Sequence, residues 1–143
     1  EKDGIFYLTD MRHFRESPGA DEALVKQTAD LDGREVEVGM EEEGGSSGKF
    51  TSHHFTDLLK GYAFRPFRST GSKYTRAKLW SSAVEHGRFK LVRGAWDIEA
   101  FLDEVTSFPE TDHDDQVDAV SGAFIMLTNA GDEPRMRDPW AEE

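Results

Sequence analysis

The sequence predicts an α/β fold built on a largely parallel sheet. Two observations carry this. Short stretches with a two-residue apolar period alternate with stretches of helical period along most of the chain. Glycine, serine and proline sit at the junctions between them. A third observation concerns size: 143 residues with ten Phe, three Trp and three Tyr suffice for one core, so a single domain is expected.

Gly4 to Asp10 (GIFYLTD) reads as the opening strand. Ser17-Pro18 supplies a helix cap followed by proline at the first helical position. Ala20, Leu24, Thr28 and Leu31 follow as the buried stripe, and Gly33 closes the helix. Glu35 to Glu41 alternates, with Val36, Val38 and Met40 on one face, and predicts a strand running into a loop at Gly44–Gly48. Phe55, Leu58, Leu59 and Tyr62 mark a second helix, and roughly Ala63 to Arg68 the next strand. Leu79, Trp80, Ala83 and Val84 form the stripe of a third helix ended by Gly87. Arg88 to Val92 is a short strand. Ile98, Phe101, Leu102, Val105 and Phe108 make an amphipathic helix stopped by Pro109. The last helix starts near Asp114 and buries Val117, Val120, Phe124 and Leu127. Residues 1–128 are thus expected to form the domain. Residues 129–143, acidic and aperiodic, are expected to be a tail or linker.

No apolar run is long enough to span a bilayer and no basic-then-apolar leader opens the chain, so a soluble, non-exported protein is expected. The absence of cysteine excludes disulfides and thiolate metal sites. The net charge of −12 argues against a nucleic-acid partner, but its distribution does not. From Lys60 to Arg93 nine basic residues face one acid, Glu85, a net of +8 that leaves −20 for the rest. That middle could present one positive face to phosphates, or be ordinary solvated Lys and Arg on helix and strand exteriors. No G-x-x-x-x-G-K-S/T phosphate loop is present, so no ATPase of that kind is encoded.

Two acidic clusters could carry chemistry. Glu41-Glu42-Glu43 ends a strand, where open α/β sheets place their ligands, and glycines follow that let backbone approach a substrate. A solvated acidic turn would look the same. His113-Asp114-Asp115-Gln116-Val117-Asp118 opens the last helix. Capping and the helix dipole explain one or two of these acids, with Asp114 a good N-cap. Three in five residues repel one another, by on the order of 4 kcal/mol for a pair at ~4 Å and an effective dielectric of ~20. A hard divalent cation, Mg²⁺ or Mn²⁺, would relieve that repulsion through all-oxygen ligation.

Three blocks resemble phage terminase large subunits: Met40 to Lys49 (MEEEGGSSGK), Thr70 to Ala77 (TGSKYTRA) and His113 to Ala119 (HDDQVDA). Their order and spacing match over roughly Gly4 to Leu127. The resemblance implies the C-terminal nuclease domain: a ribonuclease-H-like mixed sheet flanked by helices, cutting concatemeric double-stranded DNA during genome packaging in the host cytoplasm, with no membrane role. It implies two Mg²⁺ or Mn²⁺ ions held by Glu41 and by Asp115, Asp114 and Asp118, in that order of preference among the aspartates. Lys73, Arg76, Ser46 and Lys49 would contact DNA. His113 would assist a water or the leaving oxygen, or simply cap. A terminase ATPase domain, a small terminase subunit and a portal are the implied partners.

The family carries a further metal-binding Asp on a first strand that this sequence lacks upstream of Gly4, with Asp10 the one nearby candidate. An N-terminally incomplete sheet is therefore expected, and with it a poorly active domain. A non-catalytic DNA-docking or assembly fragment of the same fold is the alternative, and a resolvase-like nuclease the third reading.

Overall fold

The computed structural model describes residues 1–13 and 17–129, so the expected tail lies outside the described residues except for Asn129. The element order is β1 (Phe6–Leu8), α1 (Pro18–Asp32), β2 (Val38–Glu41), α2 (Ser46–Leu58), β3 (Phe64–Phe67), α3 (Lys73–Glu85), β4 (Phe89–Leu91), α4 (Ile98–Ser107) and α5 (Asp115–Asn129). Local chemistry sets the helix starts. Ser17 accepts from the Ala20 amide with Pro18 behind it, Ser72 from Thr75 and Asp97 from Ala100. Gly33 ends α1 at φ +97°, a conformation that side chains with a Cβ rarely adopt.

Among the described residues the four strands pair in parallel, as helical crossovers between them require. They do so as two pairs. β1 lies beside β4, with Phe6 opposite Phe89 and Leu8 opposite Leu91. β2 lies beside β3, with Val38 opposite Phe64 and Glu41 opposite Phe67. The antiparallel component among the described residues is a single bridge, Lys2 with Ile5. Helix α5 serves both pairs. Phe124 stacks on Phe6 with ring centroids 4.6 Å apart, while Met126 presses on Gly39 of β2 and Gly122 admits the Phe67 ring of β3. Between Thr9, at the end of β1, and β2 lies an open cleft of about 1030 Å³ floored by the Ala119–Met126 face of α5.

The core joins Ala77 and Trp80 of α3, Trp96, Phe101 of α4, and Val117 and Val120 of α5. Trp80 Nε1 donates to Ser121 Oγ at 3.0 Å, and Ser121 donates on to the Val117 carbonyl at 2.8 Å, so the tight α3–α5 contact has no unpaired indole.

Three expectations are corrected. The stripe of α3 is Arg76, Ala77, Trp80 and Ala83, with Leu79 and Val84 exposed. The face of α3 set against α5 is the one that brings Trp80 onto Ser121 and Arg76 onto Asp118, which leaves Leu79 to its side. Likewise Leu31, Leu102 and Leu127 are exposed where Ala29, Glu104 and Ser121 are buried. The Gly44–Gly48 segment is not a loop throughout. α2 begins at Ser46, and its Gly48 lies so close to Glu43 that a Cβ would overlap the Glu43 carbonyl oxygen.

Candidate active site

Glu41 is the last residue of β2, so the pleat delivers its carboxylate to the mouth of the cleft. Asp115 and Asp118, on the first turn of α5, line the same cleft, as does Lys73 at the start of α3. Capping by Ser72 starts α3 at Lys73 and thereby points both Lys73 and Arg76 at the acids.

Lys73 Nζ lies 2.8 Å from Asp114 Oδ1 and 2.7 Å from Asp118 Oδ2. The hydrogen bonds to Asp114, then to Asp118, hold its ammonium well above the ordinary lysine range. Arg76 is buried and bridges the two clusters, with Nη1 3.3 Å from Glu41 Oε1 and Nη2 3.6 Å from Asp118 Oδ1. Ser69 Oγ also donates to Glu41 Oε1. Asp118 Oδ1 is buried and accepts no hydrogen bond. Asp115 projects outward, three-quarters exposed, with His13 Nε2 3.6 Å away.

The sequence-derived residues therefore fall into two groups. Glu41, Asp114 and Asp118 are linked to one another through Lys73 and Arg76, and Asp115 stands at the rim of the same cleft. Lys73 and Arg76, expected on DNA phosphates, are turned onto carboxylates instead; Arg76 is too buried to meet a phosphate where it stands. Ser46 and Lys49 are exposed on the first turn of α2. Asp10 bonds its neighbours Met11 and Arg12. His113 is exposed. Asp114, expected as an N-cap, gives its carboxylate to Lys73, and the Val117 amide donates instead to Glu104 Oε2 at 2.7 Å.

Three residues escaped the reading of the sequence: Ser69, His13 and Glu104. Only Glu104 left a signal, an acid on the same helix face as Phe101 and Phe108, where an unpaired charge would be costly.

The donors fit a hard divalent cation: all are carboxylate oxygens, one is buried without a hydrogen bond, and two cationic side chains already gather on them. Among the described residues, however, no three acidic or histidine side chains close around one point. The family model described as the terminase RNaseH-like domain matches residues 1–127. The chain belongs to that family. No curated protein and no solved structure matches the chain significantly. Membership of the terminase RNaseH-like domains agrees with the parallel strand pairs and five helices of the described residues. No helix among the described residues of this terminase domain is long and apolar enough to cross a membrane.

Proposed function

We propose that this terminase domain is a metal-dependent endonuclease that cuts concatemeric double-stranded DNA during phage genome packaging, alongside an ATPase domain, a small terminase subunit and a portal. The observation that carries the reading is the Arg76 guanidinium bridging Glu41 and Asp118 at the mouth of the cleft. Carboxylates drawn from a strand end and a helix start converge on one cationic centre, where a sheet of this class meets its ligands.

Glu41 and Asp118 would be the principal ligands, with Asp114 and Asp115 beside them. Held by these carboxylates, two Mg²⁺ or Mn²⁺ ions would supply water activation and charge stabilisation at the leaving 3′ oxygen, so that cleavage would leave 5′ phosphates. Lys73 and Arg76 hold the acids together until then and must rotate outward to free their oxygens. Once outward, both can meet the phosphate backbone, joined by Ser46 and Lys49 on α2. The buried Oδ1 of Asp118 is shielded from solvent, which strengthens its hold on positive charge.

The same two ion pairs favour a second reading, a DNA-docking module without catalysis, in which the carboxylates stay neutralised by Lys73 and Arg76. Plasmid nicking in Mn²⁺ separates the two. Slow nicking by the parent that is lost in both Glu41→Gln and Asp118→Asn is the expected result. Nicking unchanged in either variant would remove that residue from the site. DNA binding by the parent without nicking would leave the docking reading.

A further inference from the structure

We infer that Glu104, on α4, is a positioning residue for the acidic first turn of α5, and that it sets that turn where a divalent cation would be bound. The inference rests on the metal-site reading above. Glu104 is buried, and so are both residues it touches. Its Oε2 accepts the Val117 amide at 2.7 Å, and its Oε1 accepts Gln116 Nε2 at 3.2 Å. Those partners stand between the site acids: Asp115 immediately precedes Gln116, and Asp118 immediately follows Val117.

The geometry answers a local need. The first amides of a helix have no intrahelical acceptor and are ordinarily met by a capping side chain. Here Asp114 is drawn to Lys73, so a cap must come from elsewhere. Glu104 supplies it across the α4–α5 interface. The macrodipole of α5 favours a carboxylate at that end. Buried in this way, Glu104 fixes the turn in both rotation and height, whereas a solvent cap would leave it free to fray. Asp118 is carried on that turn, with its side chain one residue beyond the anchored amide. Glu104 itself reaches no ion and takes no part in bond breaking.

The test titrates Mn²⁺ by calorimetry into the parent chain and three variants, with amide hydrogen exchange read in parallel. Glu104→Ala removes the anchor. Glu104→Gln keeps both bonds once the Gln116 amide rotates to offer its oxygen. Leu59→Val truncates a buried side chain at the end of α2, outside the core cluster that joins α3, α4 and α5, and lowers stability there. Glu104→Ala should weaken Mn²⁺ binding about 10-fold or more, the cost common for residues that orient ligands from behind, while Glu104→Gln and Leu59→Val stay within about threefold. Exchange in Glu104→Ala should speed up at Val117 and Asp118 and remain slow from Ser121 onward. Parental Mn²⁺ affinity in Glu104→Ala would overturn the positioning role alone, as would equal weakening in Leu59→Val or unchanged exchange at Val117. A parent that binds no Mn²⁺ would overturn the metal-site reading and this inference together.

Discussion

Lys73 makes two short ion pairs to acids that would otherwise repel, yet half of its side chain is in water. Solvent screening therefore limits what it contributes, to at most about 1 kcal/mol. Lys73→Met should lower stability by no more than this in the absence of divalent ions. The stabilisation gained in millimolar Mn²⁺ should exceed that of the parent, because the ion no longer competes with an ammonium. Melting temperatures with EDTA and with Mn²⁺ measure both; equal Mn²⁺ shifts would mean that Lys73 does not compete. The pH dependence follows from its raised pKa. A folded-state pKa above the unfolded value of 10.5 gives stability fully present below that value and lost as pH climbs through the folded one. Lys73 thus contributes no slope around neutrality, and its loss should flatten only the alkaline limb of the stability curve. Arg76 differs: it is buried and ties a strand to a helix.

At the scale of elements, α2 is seated by contact rather than by a cap: Gly45 offers it no side chain, and Gly48 lies against the Glu43 carbonyl. Gly48→Ala must push α2 away from the end of β2 and should cost about 1–3 kcal/mol in urea unfolding. Gly44→Ala, where an added Cβ meets nothing, should be neutral within about 0.5 kcal/mol. Equal effects from the two would show that α2 is not fixed by this approach. The existence of the elements was legible because serine caps, helix-ending glycines and strand alternation act locally. Their inner faces were less so. An apolar period counts Leu79 and Val84 as core and passes over Arg76 and Glu104, because an inward charge is stable only with a partner from a distant element. In the site, the strand end at Glu41 and the acidic turn of α5 could be read from spacing. The crossing of Lys73 and Arg76 onto those acids could not, since it depends on how α3 is set against α5.

Across the whole molecule, α5 carries both strand pairs on its flanks and the acidic turn at its start. The β1–β4 pair matters most for how such a molecule comes together. Phe6 lies opposite Phe89, 83 residues further on, and stacks on Phe124 beyond that. Strand β1 therefore has nothing to dock on until β4 and α5 are both in place, and closing so large a loop brings no return before then. The α3–β4–α4–α5 half, by contrast, closes shorter loops and can assemble first. Truncating Phe6 to alanine should accordingly leave the refolding rate almost unchanged and quicken unfolding, a φ-value near zero, whereas Val120→Ala should slow refolding. A φ-value for Phe6 as high as that for Val120 would reverse this order. If the order holds, β1 is the last strand secured and the first released, so the wall of the cleft that ends at Thr9 is completed only after the acids opposite it are already in place.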